Sequence, residues 1–197
     1  MTRRNKIDPR QQRTQEALLG ALDELLAEKP FSEISVSDLA RRAGIGRQTF
    51  YRHFDSIGAM LEKRLGTVLL GQIEWACAHA DNLSARELAF RIHLFAFEHV
   101  ETLPHIAHAM LSGAAGQNAL SSFMEQIIAM REALPKPPGT NVPPEAQDFI
   151  ACYHAGSIVS VLLKWVEAGC TPDAVTMARF MAQMSNKPCG DESACQC

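Results

Sequence analysis

At 197 residues, with 47% hydrophobic side chains and a net charge of −3, the chain can bury one fair-sized core or a small module joined to a larger one. That composition excludes a wholly disordered chain. No apolar run approaches the ~18 residues of a membrane span, and MTRRNKIDPRQQR has no apolar stretch behind its charges, so it is not a secretory signal.

The expected compartment is the cytoplasm, where six cysteines read as thiols rather than a disulfide framework. Charge is unevenly spread. Residues 1–64 carry 12 Lys and Arg against 9 Asp and Glu, whereas 65–197 carry 7 against 13. A basic end on an acidic body points to one polyanion-binding module.

In chain order, residues 1–9 form a basic leader. Asp8-Pro9 opens a first helix, because proline costs little in a first turn. Ala17, Leu18, Ala21, Leu22, Leu25 and Leu26 recur along it at helical spacing to about Glu28, and Lys29-Pro30 ends it. Ser37 reads as the cap of a short second helix with Leu39 and Ala40 inward and Gly44 as its terminator. A third helix runs from Arg47 to about Phe54. Helical periodicity then covers roughly 57–80, 84–101, 104–111, 117–134, 144–168 and 172–185. The proline-rich PKPPGTNVPP, 135–144, is a stiff connection. The expected fold is all-α.

LARRAGIGRQTFYRHF, residues 39–54, describes two short helices around a glycine turn, the helix-turn-helix unit whose second helix enters the DNA major groove. Leu39, Ala40, Ala43, Ile45, Phe50 and Phe54 supply a small core. Arg47, Gln48, Thr49, Tyr51, Arg52 and His53 are left outward. Arginine suits guanine edges, glutamine adenine, and a threonine methyl the thymine methyl. Tyr51 and His53, near the helix end, suit phosphates, which position without specifying.

ISVSDLARRAGIGRQTFYRHF resembles the DNA-binding domain of the TetR family of bacterial transcriptional regulators. Ala40, Ala43, Gly44, Thr49, Tyr51, His53 and Phe54 match the family pattern position by position. The resemblance implies a helix-turn-helix domain over 10–65, with its motif at about 35–54. The hydroxyl-bearing approach adds Ser35 and Ser37 to the expected DNA-contacting residues. Three departures stand out. Gly46 replaces the usual hydroxyl cap of the recognition helix, Gln48 a small residue, and Ile57 a lysine that often contacts phosphate in the family.

The resemblance also implies that 66–186 is a larger helical domain for ligand binding and dimerisation, followed by a cysteine-containing tail, 187–197. FIACYHAGSIVSVLLKWVEAG is apolar nearly all round, which calls for burial on more than one side. Tyr153, Gly156, Ser160, Val175 and Met181 are the expected dimer contacts, Gly156 and Ser160 allowing close approach. A helix-capping Thr171-Pro172 starts the last helix. Phe90, Phe95, Phe97, Met110, Phe123 and Met124 are candidates for an apolar ligand pocket, although side chains so spaced are more often plain core. Trp75 and Trp165 share that ambiguity.

Two groups have metal-ligand or redox chemistry: His105 and His108, one turn apart, with His93 and His99 on the helix before, and Cys189, Cys195 and Cys197 in the tail. For both, the commoner reading is no metal at all. Enzyme signatures are missing, with no G-x-S-x-G, H-E-x-x-H, C-x-x-C, phosphate loop or dinucleotide fingerprint. No cofactor is called for. The expected protein is not an enzyme but a homodimeric regulator that binds a palindromic operator in double-stranded DNA and releases it on binding a small-molecule effector. A thiol- or metal-responsive regulator of the same fold is the alternative, and a helical interaction module without a DNA role is a further one.

Overall fold

A computed structural model describes residues 9–133 and 143–185. Among these the chain forms helices and turns with no strand. The helices are α1 (Pro9–Glu28), α2 (Val36–Arg42), α3 (Arg47–His53), α4 (Ile57–His79), α5 (Ala85–Thr102), α6 (Pro104–Leu111), α7 (Gln117–Ala133), α8 (Gln147–Glu167) and α9 (Ala174–Ser185). The all-α expectation holds, and the element boundaries fall within a few residues of those read from periodicity. The leader, most of the proline-rich connection and the cysteine tail lie outside the described residues.

Among the described residues there are two large hydrophobic cores and a small third cluster of Ala76, Leu88, Ile92 and Met130. In the first, Leu18, Leu19, Leu22 and Leu25 of α1 meet Leu39 of α2, Phe50 and Phe54 at α3, and Ile57, Met60 and Leu61 of α4. That cluster continues into the body through Ile106, Ala109 and Met110 of α6 and Ala119 of α7. The inward stripe of α1 is thus shifted from the sequence expectation: Leu19 is buried and Ala17 exposed. The second core gathers Phe97, Phe123, Ile127, Ala155, Val159, Leu162, Trp165, Ala178 and Met181. Phe97 packs edge-on to Trp165, ring centroids 4.9 Å apart, so both are core side chains. α5 lies along α9, and α8 crosses α6 and α7.

Three sequence expectations need correction here. The cap of α9 is Asp173, not Thr171-Pro172: its Oδ1 accepts from the Thr176 amide at 3.0 Å. An aspartate oxygen can satisfy an orphan first-turn donor, which proline has no side-chain acceptor to do. Met181 is 6% exposed and belongs to the second core, because α9 turns Ala174, Ala178, Met181 and Ala182 inward together. Finally, α8 over Asp148–Glu167 is long and apolar enough to cross a membrane by length and composition. Its Ala155, Val159, Leu162 and Trp165 are seated in the second core, which accounts for the apolar composition without a bilayer.

A polar contact joins α1 to the start of α6. α6 begins with Pro104 at its first position, and no side chain from its own N-cap residue, Leu103, caps it. Asp23 of α1 supplies the missing acceptor. Its Oδ1 accepts from the Ile106 amide at 3.1 Å, and its Oδ2 lies 3.2 Å from His105 Nδ1. A carboxylate at a helix N-terminus also meets the positive end of the helix dipole.

Asp23→Ala is expected to cost about 1 kcal/mol in denaturant unfolding, the usual value of a lost cap. Asp23→Asn, which keeps an acceptor oxygen, is expected to retain most of it.

Candidate DNA-reading surface and effector cavity

The angle of α3 is set locally by the turn before it. Gly44 stands at φ +68°, the left-handed region that glycine enters without a Cβ penalty. The Ile45 amide donates to Ala40 O at 2.9 Å and the Gly44 amide to Arg41 O at 3.2 Å, the paired bonds that close a helix on a left-handed residue. Ile45 then packs against the first core. Gly46 opens α3 with extended backbone and no side-chain cap.

α2 is fixed at its other end by a capping box on Ser35, not Ser37. Ser35 Oγ accepts from the Asp38 amide at 3.1 Å, and Asp38 Oδ2 accepts from the Ser35 amide at 3.3 Å. Ser37 is the second residue of α2, within its first turn, and is exposed. The sequence signal was present, since Ser35 and Asp38 have the box spacing. Asp38 also accepts from Lys29 Nζ at 3.0 Å and from Arg41 at 2.7 Å. These donors, Lys29 first and Ser35 next, hold the Asp38 carboxyl down at about 2. Arg42 bridges from α2 to Glu24 and Glu28 of α1. Arg41 and Arg42 are therefore engaged inside the module.

On α3, Phe50 is fully buried, while Arg47, Gln48, Tyr51 and Arg52 are exposed and Thr49 and His53 half-exposed. The six side chains expected on the outer face are all solvent-accessible on one seven-residue helix. Ile57 is buried in the first core and is no substitute for a phosphate-binding lysine.

Among the described residues, two cavities in the body each enclose about 540 Å³ of empty space with the open mouth included. One lies between α4, α5, α7 and α8 and is lined by Val68, Gln72, Ile92, His93, Phe95, His99, Phe123 and Leu162 among others. The other lies where α1, α4, α5 and α6 meet. Of the six pocket candidates, Phe95 and Phe123 line the first cavity, and Met110 and Phe123 the second. Phe97 is core, and Phe90 and Met124 pack beside it.

Two polar side chains are buried among the described residues: Gln72, which escaped sequence reading, and His93, which was read there only as a possible metal ligand. Gln72 Nε2 donates to Ile92 O at 2.7 Å, and His93 Nε2 lies 3.1 Å from Ser185 Oγ. Burial, with a lesser contribution from His154, lowers His93 to about 4, so its imidazole is neutral at pH 7.

The histidines expected as possible ligands are dispersed. His105 is bonded to Asp23, and His108 is exposed. Among the described residues no group of three or more His, Cys, Asp and Glu is placed to hold a metal. Cys189, Cys195 and Cys197 lie outside the described residues.

Of the expected dimer contacts, Tyr153 (69% exposed), Ser160 and Val175 are on the surface and Gly156 is partly open. Met184, in the apolar stripe expected on the last helix, is exposed, while Phe149 (76% exposed) and Phe180 were missed. Phe149, Tyr153, Gly156 and Ser160 follow i, i+4, i+7, i+11 spacing, so a helical projection of α8 would have found the first. Trp75 is partly exposed and stacks on His79.

Comparison with known proteins agrees with this architecture. Residues 18–63 match the sequence profile of bacterial regulatory proteins of the tetR family, and 92–187 that of a transcriptional regulator C-terminal region. The HTH-type transcriptional regulator EthR of Mycobacterium tuberculosis is 45% identical over 53 residues, which span 27% of this chain and only 24% of EthR.

Among solved structures, a putative TetR-family transcriptional regulator from Syntrophomonas wolfei is similar with a TM-score of 0.66 at 18% identity, covering 88% of this chain and 94% of that one. FadR of Thermus thermophilus, a TetR-family repressor in complex with lauroyl-CoA, has a TM-score of 0.62 at 15% identity, covering 93% and 98%. At such identities the likeness shows the fold. The matched profiles and relatives are regulators, not enzymes.

Because the folded value of Asp38 lies below the unfolded ~3.9, its stabilisation is full above that pH and is lost as pH falls toward 2. The stability difference between wild type and Asp38→Asn is thus expected to be flat from roughly pH 7 to 5 and to shrink below about pH 4, followed by urea unfolding at each pH.

Proposed function

The chain belongs to the tetR family of bacterial regulatory proteins, and from that premise we propose that it is a homodimeric transcriptional repressor released from a palindromic operator by a small-molecule effector. The observation that carries the DNA-binding part is the outer face of α3. Arg47, Gln48, Thr49, Tyr51, Arg52 and His53 are accessible on a helix whose inner residue, Phe50, is locked in the core. Arg47, Gln48 and Thr49 open the helix, where base edges are met, while Tyr51, Arg52 and His53 reach phosphates. Ser37 is free to face the backbone of the duplex. Ser35 contacts DNA only through whatever its capping role leaves over.

The dimer reading rests on exposed apolar side chains of α8 and α9. Phe149 and Tyr153 on α8 lie in line with Gly156 and Ser160, while Phe180 and Met184 project from α9. Large apolar groups left so exposed mark an interaction surface, and a two-fold pairing would set two α3 helices about one DNA turn apart, ~34–36 Å.

The effector reading rests on the two apolar cavities of the body. The acyl-CoA held by Thermus thermophilus FadR supports a ligand with a substantial apolar part. A ligand shifts operator affinity only through different affinities for the DNA-binding and released states. The proposal extends to domain limits of 10–65 and 66–186, with α4 as the helix that crosses between them, and to a cytoplasmic location. A thiol- or metal-responsive regulator of the same fold is the second reading, carried by Cys189, Cys195 and Cys197 within nine residues of sequence.

Gln48→Ala is expected to relax base preference at one operator position, costing ~1–3 kcal/mol on the preferred sequence. Tyr51→Phe and His53→Ala are expected to weaken all sequences alike. Mobility-shift titrations on operator variants distinguish the two patterns, and an unchanged preference in Gln48→Ala would place the reading face elsewhere.

A Cβ added at Gly156 meets nothing within 4 Å in the protomer. Gly156→Leu is therefore expected to leave the protomer folded but weaken the dimer by ~1–3 kcal/mol or more through overpacking. Analytical ultracentrifugation checks it, and an undiminished dimer would move the interface away from α8.

A further inference from the structure

The two cavities share a wall: His99, Val100 and Phe123 line both. The second cavity lies at the seam between the DNA-reading module and the body, with Leu19 of α1 and Leu61 of α4 on one side and Ile106 and Met110 of α6 on the other. Its lining is apolar apart from two side chains, Arg64 and His99. Arg64 is exposed and makes no ion pair among the described residues.

By contrast, Arg41, Arg42 and Arg91 each hold a carboxylate. A guanidinium is permanently charged and presents a planar fork of donors that fits an oxyanion. His99 stacks on Phe95, and burial, then the nearby Arg64 charge, lowers its pKa. Its imidazole is therefore neutral at pH 7, which leaves Arg64 as the fixed positive charge at the seam.

We propose that the two cavities are halves of one site for a linear amphiphile, an alkyl or acyl chain ending in an oxyanion. Arg64 takes the anion at the seam, and the apolar chain passes His99, Val100 and Phe123 into the cavity between α5, α7 and α8. A flexible chain is the shape that threads two cavities meeting at a narrow common wall. The proposal rests on the effector reading above and names its chemical class.

It also accounts for leverage on DNA. Leu19 lies one helical turn before Asp23, whose carboxylate caps α6, and Ile106 both donates to that carboxylate and lines the cavity. An occupant of the seam thus presses on the contact that fixes α1 against α6.

Isothermal titration calorimetry on the full-length protein, without DNA, tests the site with dodecanoate, dodecyl phosphate and dodecanol. Either anionic probe is expected to bind about tenfold or more tightly than dodecanol, as a charge-assisted contact provides. The tighter of the two tells a carboxylate terminus from a phosphate.

Arg64→Gln, on an exposed position of α4, is expected to bring both anions to the level of dodecanol and leave dodecanol unchanged, whereas Arg64→Lys keeps part of the preference. An anion preference that survives Arg64→Gln would overturn the proposal. So would equal losses for dodecanol and the anions, or no binding of any probe. Because binding is read without DNA, a protein that binds these probes but no operator would refute the functional reading alone.

Discussion

The burial of α1 on two sides at once is the constraint on which the rest depends. α3 has seven residues, too few to be stable alone, since a helix shorter than ~12–15 residues is marginal in water. Its direction comes from Phe50, with Phe54 at its end, entering one buried cluster with Leu18, Leu22 and Leu25 of α1 and Leu39 of α2. The same cluster includes Ile106, Ala109 and Met110 of α6, which packs against α1. A recognition helix so placed is referenced to the body of the protein, and its position cannot change without repacking α1.

That arrangement explains why polar contacts concentrate around α1. Arg42 ties α2 to Glu24 and Glu28 at the end of α1, and Asp38 gathers Lys29, Ser35 and Arg41 at the start of α2. These are surface pairs, each of small net value, and they serve to fix orientation where the apolar core alone would permit sliding. Asp23 does the equivalent toward α6. Close-packed interiors move between discrete packings and do not deform smoothly. A cavity beside α1 and α6 is therefore better placed to bias the DNA-reading helix than one remote from the seam.

Much of this was legible in the sequence because the local signals agree with one another. Helical periodicity located α1 and α4 to α9, and Gly44 with Ile45 and Gly46 marked the turn. Phe50 and Phe54, four apart among polar neighbours, marked the inward side of α3. What escaped was set by tertiary contact. Asp23 looks like one more charge on α1, and only the fold brings α6 to it. Met181 and Met184 are both apolar on α9, yet one enters the second core and the other faces solvent, since the register of α9 against α5 decides. Arg64 reads as an ordinary surface arginine until the cavity beside it is seen. The capping role of Ser35 is hidden for a different reason: Ser37 lies nearer the apolar Leu39 and Ala40, while the cap depends on the reciprocal pair that Ser35 makes with Asp38.

The account stands on α3 being a DNA-reading helix presented in two copies. Selection of bound sequences from random duplex DNA, carried out with the full-length protein, tests that most directly. The expected outcome is an inverted repeat whose half-sites are centred about one helical turn, ~10 base pairs, apart, with affinity falling steeply as salt rises. Enrichment of no sequence, or of a single half-site without a symmetric mate, would contradict it.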